Sequence, residues 1–275
     1  MSATEPQGSA ISLRRDGAIL HIVLDAPHIR NALTQVEMLA LRDVLRDAAQ
    51  DSGVRVVALR GAQGHFCAGG AIASFGQRPD GEEALSDAER RERRVARLVE
   101  CAQISELLRT MPKPTVALVE GAAAGAGMIY ALSCDLCLAS ENAFFSTAFS
   151  RIGTSGDMGA SALLLELAGT HRAYRMMMLA ERLDAQAVYA MGLISEVVSQ
   201  DAFEARAADV LAQLAAASPL VLAAIKENLV AAAREPRPIA VRREAENMVR
   251  TLESEDCKEA RAARKERRLP RFAGN

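Results

Sequence analysis

Short apolar runs that end at turn residues alternate with an amphipathic segment at the start of the chain. Residues 18–24 form a β-rich run that ends at Asp25-Ala26-Pro27, and residues 54–59 form a second apolar run before a glycine-rich turn. Between the two runs, Thr34 is suited to cap a helix, because its hydroxyl can accept from a free backbone N–H. Apolar residues then recur at helical spacing: Leu39, Leu41, Val44 and Leu45. The order strand, helix, strand is therefore predicted.

A third apolar run, residues 114–119, is typical of a strand buried on both faces. It leads into residues 121–131, where small residues predict a turn into a helix. Short strands are predicted at residues 136–139 and near Phe144, and from Ala160 onward the pattern is helical almost to the end. Strands thus alternate with helices in the first ~150 residues and helices alone follow, which predicts an α/β fold.

The composition indicates a folded chain without a strong electrostatic preference. Half of its 275 residues are hydrophobic and a quarter are charged, so there is enough apolar surface to offset the entropy of chain ordering. Thirty-three basic against 35 acidic residues leave a formal net charge of -2, which excludes a global attraction to nucleic acid. The longest uncharged run, residues 210–225, contains Pro219 and is shorter than the ~20 residues of a membrane-spanning helix. Neither nucleic acid nor a membrane is an expected partner.

Residues 1–10 are polar, contain Gly and Pro, and are expected to be flexible. They lack the positively charged and then apolar pattern of an export signal, so a cytoplasmic, reducing compartment is expected. The five cysteines are accordingly expected to be free thiols. Cys134 and Cys137 form one CxxC pair, a weak indication of a redox or metal site, and are expected to be small core residues. The charged residues 78–97 predict a loop that runs into a solvated helix.

Two glycine-rich segments follow directly after predicted strands. Residues 65–72 contain two consecutive glycines, whose backbone can turn an amide N–H toward a ligand. Residues 121–127 lie at a strand-to-helix junction, where free N–H groups can stabilise a negatively charged oxygen. An ordinary tight turn also explains each segment on its own. Neither has the spacing of a phosphate-cradling or dinucleotide-binding loop.

Few titratable residues stand out as candidates for chemistry. Asp157 is the single carboxylate between Arg151 and Glu166, and composition alone favours it as the cap of the helix predicted near Ala160. The alternative, a catalytic role for this isolated carboxylate, gains support only from the family resemblance given below. His65 lies beside the first glycine-rich segment and is expected to be structural. The other histidines show no metal-ligand spacing, so no metal site is expected: His21, His28 and His171.

The order of these landmarks resembles the crotonase superfamily, the enoyl-CoA hydratase/isomerase family, from about Ile11 to Asn275. The motifs are most similar to the dienoyl-CoA isomerase and epoxyphenylacetyl-CoA isomerase types, the latter acting in phenylacetate breakdown. The resemblance rests on these landmarks in register: Asn31-Ala32-Leu33, residues 66–72, Lys113-Pro114, residues 121–127, Cys134-Asp135, Gly169, and a C-terminal stretch from Lys265 to Phe272.

The resemblance implies a crotonase-like spiral of ββα repeats with a helical C-terminal region that drives trimer or hexamer formation. Residues 11–200 would form the core with the acyl-CoA site, and residues 201–275 the oligomerisation region. The implied substrate is an acyl-CoA thioester, and no resident cofactor is implied because coenzyme A is part of that substrate. Two apolar stripes are expected between subunits: Val210, Leu211, Leu214 and Val221, Leu222, Ile225.

In this family two backbone N–H groups hold the thioester oxygen, and their positions fall here on Gly70 and Ala126. Such donors stabilise the charge that develops on the oxygen of a thioester enolate. The resemblance also implies that Ala68 and Ile72 lie beside bound coenzyme A. In the basic C-terminal tail, Arg267 is the first candidate for its phosphates, since guanidinium binds phosphate well. The other interpretation of that tail is a solvated helix face.

Departures from the family pattern separate the possible reactions. The two glutamates that hydratases of the family use to add water fall on Ile129 and Phe149, and neither can transfer a proton. Asp157 falls eight residues after Phe149, where the isomerases named above carry a catalytic Asp. One carboxylate suits isomerisation, because a single base can remove a proton at one carbon and return it at another. An isomerase that shifts a double bond or opens an epoxide ring is the leading hypothesis; a hydratase and an inactive acyl-CoA-binding protein remain alternatives.

Overall fold

The computed structural model describes residues 10–74, 82 and 84–275 of the chain. Ala10 is buried, and its carbonyl accepts a hydrogen bond from the Asp25 N–H at 2.8 Å, so flexibility expected of residues 1–10 is wrong for this residue. The rest of that segment, and residues 78–81 and 83 of the expected charged loop, lie outside the described residues.

A larger sheet with the strand order β1-β2-β3-β4-β6-β9 lies beside a smaller one with the order β5-β7-β8. All neighbouring strands of the larger sheet are parallel except β1 and β2. The strands in the described residues are β1 Ile11–Asp16, β2 Ile19–Leu24, β3 Val56–Gly61, β4 Thr115–Val119, β5 Ala122–Ala124, β6 Leu136–Ser140, β7 Phe144–Ser146, β8 Leu183–Asp184 and β9 Glu196–Val198. From β4 to β7 the chain alternates between the sheets, and after β8 it returns to the larger sheet at β9, which is the winding of a spiral of ββα repeats.

Helices cover the sheets and make up most of the C-terminal part of the chain. They are α1 Gln35–Gln50, α2 Asp87–Thr110, α3 Ala126–Ser133, α4 Ala160–Ala168, α5 Thr170–Leu179, α6 Ala185–Ala190, α7 Phe203–Ala216, α8 Pro219–Arg234, α9 Arg237–Leu252 and α10 Glu255–Glu266. The predicted cap of the first helix is confirmed: the Thr34 hydroxyl accepts from the Glu37 N–H, and the Glu37 carboxylate accepts from the Thr34 N–H. In the described residues no single helix is long and apolar enough to cross a membrane, and only residues 200–216 with α8, a pair bent by 102°, pass that test together.

The three long apolar runs form β2, β3 and β4 as predicted, but two expectations about the later chain are wrong. Helices alone do not follow residue 160, because β8 pairs with β7 and β9 extends the larger sheet beside β6. The small-residue segment 121–131 also contains β5, which pairs with β7 before α3 begins. These three strands are two or three residues long, too short for an alternating pattern to be visible in the sequence.

The larger sheet is covered on both faces, as its apolar strands require. On one face Leu20, Ile22 and Leu24 of β2 belong to the same buried cluster as Leu41 and Leu45 of α1. A second buried cluster covers the other face and joins strand residues to α7: Val56, Ala58, Val116, Phe203, Val210 and Leu211, with Leu214 packed against it. The stripe Val210, Leu211, Leu214 therefore packs inside its own chain, and its expected position between subunits is wrong.

The cysteines bear out the sequence expectation. All five are free thiols in the structure, and Cys137 is buried in the main core cluster. The Cys134 thiol donates to the Tyr130 carbonyl, with 3.5 Å between sulfur and oxygen, within the same layer of the fold. The CxxC pair is therefore part of the packing around α3.

An ion pair between a buried lysine and a partly exposed aspartate fastens the C-terminal helices to the spiral core. The Lys226 ammonium of α8 donates to the Asp135 carboxylate at 2.8 Å and to the carbonyls of Leu108 and Lys113 at 2.8 and 3.0 Å. Asp135 also accepts from the N–H and the hydroxyl of Thr115, at 2.8 and 3.1 Å. This one cluster joins α8, the end of α2, the start of β4 and the loop before β6. The Cys134-Asp135 landmark thus has a structural role.

We expect Lys226→Met to lower the free energy of unfolding by about 2 kcal/mol, because it removes three hydrogen bonds of a buried ammonium and leaves the partly exposed Asp135 carboxylate without its cation. Lys258→Met is the matched control, since Lys258 pairs with Glu255 where both side chains are more than 60% exposed. It should change stability by less than about 1 kcal/mol. Urea unfolding of both variants measures the difference, and equal losses would contradict the anchoring role of Lys226.

Candidate active site

The turn that follows β3 is bonded to residues 30–33, and this arrangement orients Gly70. The Leu33 N–H donates to the Gly69 carbonyl, and the Leu33 carbonyl accepts from the Ala71 N–H, both at 2.8 Å. In a parallel bridge of this kind, Leu33 bonds the residues on both sides of Gly70, so the Gly70 N–H points away from Leu33. It meets no acceptor within the described part of the chain, so it is free to bind a ligand oxygen.

The second free donor is the N–H of Ala126, the first residue of α3. The N–H groups in the first turn of a helix have no acceptor within the helix, and Ala126 has none elsewhere among the described residues. Gly125 precedes it with φ +53°, a left-handed conformation that favours glycine and that turns the chain sharply into α3. A buried helix start with an unsatisfied donor is a suitable place for a negatively charged oxygen.

Backbone contact brings these two donors together. A Cβ placed on Gly69 would lie 3.2 Å from the Ala126 nitrogen and 2.8 Å from the Ala124 carbonyl oxygen. A Cβ placed on Gly127 would lie 2.2 Å from the Cys67 carbonyl oxygen, so only glycine fits there. Hydrogen bonds of 2.8 and 2.9 Å also join Cys67 to β5. The two glycine-rich segments predicted from the sequence therefore form one site.

His65 supports this contact and takes no part in chemistry that the structure reveals. Its Nδ1 accepts a hydrogen bond from the Ala122 N–H at 3.3 Å. A Cβ on Gly121 would lie only 2.5 Å from that nitrogen, so the imidazole fills the space beside the glycine. The structural interpretation of His65 is confirmed.

Asp157 lies in the loop before α4, and the expectation that it caps this helix is wrong. The N-cap is Gly159, no side chain bonds the first turn, and Asp157 contributes only its backbone carbonyl, which accepts from the Ala160 N–H at 3.0 Å. The carboxylate is partly buried, and its Oδ1 atom has no hydrogen-bond partner in the described structure. Burial raises the pKa of Asp157 above its usual value. An ionisable group with no structural partner is thereby available for proton transfer.

The ring of Phe149 lies between the Asp157 loop and the start of α3. A Cβ on Gly156, the residue before Asp157, would lie 3.3 Å from the ring, and a Cβ on Gly125 would lie 3.9 Å from it. Phe149 and Ile129, the two positions where the family resemblance places the glutamates of hydratases, are both buried. The Asp157 loop and the Gly125 turn before Ala126 therefore pack against the same aromatic ring.

Tyr130 closes the site from inside the core. Its hydroxyl donates to the sulfur of Met158 at 3.6 Å, and the side chain has no exposed surface. Burial raises the pKa of Tyr130 well above its usual value, and the nearby thiols and the Asp157 carboxylate add to the shift.

The remaining predicted residues are only partly brought together. Ala68 lies in the same turn as Gly70, where its N–H donates to the Arg30 carbonyl at 2.9 Å, and the exposed Ile72 begins the next helical turn. Arg267 ends α10, and no described contact joins it to Gly70 or Ala126. In the tail after Arg267, the Phe272 carbonyl accepts a hydrogen bond from Arg55, which lies just before the start of β3. The site follows the opposite end of that strand. One chain alone does not bring Arg267 to the site.

Within residues 10–74, 82 and 84–275, no three His, Cys, Asp or Glu side chains are grouped so that they could hold a metal ion.

Asn31 is only a landmark in the sequence, but in the structure its side chain lies at the centre of the hydrogen bonds around the turn after β3. A short polar residue next to an exposed arginine has no local pattern that reveals such a role.

Comparison with known proteins places the chain in a large group of relatives. The profile of the enoyl-CoA hydratase/isomerase family matches residues 14–275. A probable enoyl-CoA hydratase of Rhodobacter capsulatus is 32% identical over 92% of this chain and 93% of its own length. The 1,2-epoxyphenylacetyl-CoA isomerase of Escherichia coli is 28% identical, covering 93% and 95% of the two chains. The crystal structure of an enoyl-CoA hydratase from Polaromonas sp. JS666 superposes with a TM-score of 0.85 at 32% identity, covering 96% of this chain and 99% of that one.

We expect Asp157→Ala to preserve or raise the free energy of unfolding at pH 7, since no helix cap is lost. The folded protein binds the Asp157 proton more tightly than the unfolded chain, because burial raises the folded-state pKa. The stability that this group contributes is therefore complete below the unfolded pKa of about 3.9 and is lost as pH rises through the folded value. Any gain from the substitution should accordingly shrink as the pH is lowered toward 4.

The matched control is Asp184→Ala, because the Asp184 carboxylate caps α6 by accepting from the Ala187 N–H at 2.7 Å. Loss of that cap should cost about 1 kcal/mol at pH 7. Thermal and urea unfolding across pH distinguish the two residues. An equal loss in Asp157→Ala would restore its interpretation as a cap.

Proposed function

The chain belongs to the enoyl-CoA hydratase/isomerase family, and we propose that within it this protein is an acyl-CoA isomerase. It shifts a double bond, or opens an epoxide ring, through a thioester enolate. Asp157 carries this proposal, because it is a partly buried carboxylate with an unpartnered oxygen and a raised pKa, and because its neighbour Gly156 packs against the same Phe149 ring as Gly125, the residue before the free Ala126 N–H.

The two donors supply the electrostatic part of the reaction. The N–H groups of Gly70 and Ala126 hold the thioester oxygen and stabilise the negative charge that develops when a proton leaves the acyl chain. One such preorganised donor is worth about 3 kcal/mol of transition-state stabilisation. Because both donors are backbone groups held by hydrogen bonds and close packing, little reorganisation accompanies the charge shift.

Asp157 supplies the proton transfer. In its ionised form it removes a proton from one carbon of the acyl chain, and the double bond moves as the enolate forms. The same proton then returns to another carbon, so no atom is gained or lost and no second base is needed. The raised pKa favours this role, since it brings the proton affinity of the carboxylate closer to what general base catalysis at neutral pH requires.

The apolar residues around Asp157 favour isomerisation over hydration. Ile129 and Phe149 occupy the positions of the two glutamates that position water in hydratases, and both are buried. The similarity to the Escherichia coli 1,2-epoxyphenylacetyl-CoA isomerase supports the same choice and extends it to a ring-containing acyl group. The hydratase names of other relatives support the second candidate, hydration of an enoyl-CoA. Binding without turnover is the third candidate.

Coenzyme A enters with the substrate, so we propose no resident cofactor. Ala68 and Ile72 lie next to Gly70 and are proposed to line the coenzyme A site, in a protein that acts in the cytoplasm. Arg267 would serve the coenzyme A phosphates from a neighbouring copy, because it is not close to the site in its own chain.

We also propose a trimer or a dimer of trimers. The stripe on α7 is used inside the chain, but α8 still presents Ile225 and Leu229, which are 49% and 67% exposed. These side chains line a cavity of about 570 Å³ between α8 and the core, open to solvent on one side. Exposed apolar residues continue along α9: Ile239, Val241, Met248, Val249 and Leu252. Covering this surface with another copy would remove it from water.

Light scattering at micromolar concentration should therefore give three or six times the mass of one chain. Leu229→Lys should shift the protein toward monomers, because it places a charge on the apolar surface of α8. Leu13→Lys, at an exposed position of β1 far from α8, serves as the control and should leave the mass unchanged. A monomeric wild-type protein would contradict the proposed assembly.

Asp157→Asn should lower turnover of a 3-enoyl-CoA by about 100-fold or more, the usual scale for the loss of a general acid–base group. The amide keeps the size of the side chain but cannot accept the proton. Binding of the thioester should hardly change, because the backbone donors lie elsewhere. Steady-state kinetics with a binding titration provide both numbers.

Asp184→Asn is the matched control for this experiment, since it changes an exposed carboxylate that caps α6 and bonds none of the site residues, so it should keep full turnover. Water addition to crotonyl-CoA is assayed in parallel. Efficient hydration by the wild-type protein would favour the hydratase over the isomerase. Full turnover in Asp157→Asn would remove Asp157 from the mechanism.

A further inference from the structure

We propose that Asn31 is a positioning residue that sets the direction of the Gly70 N–H. The inference rests on the proposed function, in which that N–H binds the thioester oxygen. Asn31 has no exposed surface, and it has no path to the substrate except through the backbone that it holds. Its effect on the reaction is therefore indirect.

The side-chain amide of Asn31 is fully engaged with backbone groups. Its Oδ1 accepts from the Ala26 N–H at 2.9 Å, and its Nδ2 donates to the carbonyls of Ala62 and His65 at 2.9 and 2.7 Å. These partners belong to the loop after β2 and to the turn after β3. One amide group thus joins the two segments that lead to the site, and none of its bonds reaches another side chain.

The local backbone is suited to asparagine. Arg30 and Asn31 have φ values of +52° and +58°, in the left-handed region that asparagine tolerates better than most residues. The packing is equally close on the other side, because a Cβ on Gly61 would lie 2.7 Å from the Asn31 Nδ2 atom. An apolar residue of similar size at position 31 would leave the Ala26 N–H and the His65 carbonyl without partners, and the Ala62 carbonyl with only the His65 N–H at 3.4 Å.

From Asn31 the positioning passes to Gly70 through its sequence neighbours. The Arg30 carbonyl accepts from the Ala68 N–H at 2.9 Å, and Leu33 bonds both Gly69 and Ala71 at 2.8 Å. These three bonds fix the peptide planes on either side of Gly70. The Asn31 side chain itself holds residues 30–33 in place. Its loss would therefore loosen the backbone whose hydrogen bonds orient the Gly70 N–H.

Only one of the two N–H donors depends on Asn31, which distinguishes a positioning role from a general effect on protein stability. Ala126, the other donor, is fixed by the helix start and by the contact of Gly127 with Cys67, neither of which involves Asn31. A change at Asn31 should therefore weaken one of the two bonds to the thioester oxygen and leave the other. Substrate affinity, which depends on the whole ligand, should change little.

Asn31→Gly tests this directly, because glycine accepts the left-handed backbone at no steric cost and removes only the side-chain bonds. The probe is butyryl-CoA labelled with ¹³C at the thioester carbonyl, a saturated ligand that has no double bond to move. In the wild-type protein, its infrared carbonyl band should shift to lower frequency on binding. In the variant, the shift should fall by about half, and kcat for a 3-enoyl-CoA should fall at least ~10-fold with KM within about threefold.

Asn31→Asp is the second variant and keeps the volume and the acceptor of Asn31. Its second oxygen faces the carbonyls of Ala62 and His65, which repel it, so the same loss of shift is expected. Asn247→Ala is the matched control, since it removes another buried asparagine amide, which donates to Asn228 and Glu227 at 2.7 and 3.2 Å in the α8–α9 region. It should lose stability but keep the full carbonyl shift.

The outcomes separate the two levels of inference. A wild-type protein that binds butyryl-CoA without a carbonyl shift would overturn the proposed oxyanion site, and the role of Asn31 with it. A normal wild-type shift that is retained in a folded Asn31 variant would overturn the positioning role alone. An equal loss of shift in Asn247→Ala would reduce Asn31 to a general structural residue.

Discussion

The close contact between two backbone segments is the constraint on which the rest of this structure depends. The Cys67 carbonyl lies so near Gly127 that no side chain fits between them, and Gly69 is equally close to the start of α3. This contact brings the Gly70 and Ala126 amides to one place without any catalytic side chain. The parallel sheet supplies the rigidity, since both segments begin where buried strands end. Both donors are therefore held by backbone contacts to the sheet.

Two aspartates differ in how many hydrogen-bond partners the fold gives their carboxylates. Asp135 meets an ammonium group, an N–H and a hydroxyl, and it fastens α8 to the core. Asp157 is partly buried as well, and burial raises the pKa of both carboxyl groups, but the Oδ1 atom of Asp157 has no hydrogen-bond partner. The Asp135 carboxylate is bonded within the fold, whereas that of Asp157 is proposed to transfer a proton. The same residue type thus serves structure at one position and proposed chemistry at the other.

Some apolar helix surfaces are covered within one chain, and others remain exposed to solvent. The stripe on α7 closes the second face of the larger sheet, so this layer is complete in a single chain. The exposed apolar residues of α8 and α9 have no such cover. Arg267 follows the end of α10, and no described contact joins it to the Gly70 and Ala126 donors. Both features are consistent with a site whose coenzyme A end is completed by a neighbouring copy.

By itself, the sequence determined the three central strands, the capped first helix and the two glycine-rich turns, because a short run of neighbouring residues indicates each of them. Residues 114–119 are nearly all apolar, and Thr34 directly precedes a helical repeat, so neighbouring residues suffice for the prediction. Only the tertiary structure decided that β8 and β9 exist, since strands of two or three residues are stabilised by their partners rather than by their own pattern. It also decided that Asp157 does not cap α4 and that Asn31 joins segments more than 30 residues apart. The partners of a polar side chain lie across the fold, and no local pattern specifies them.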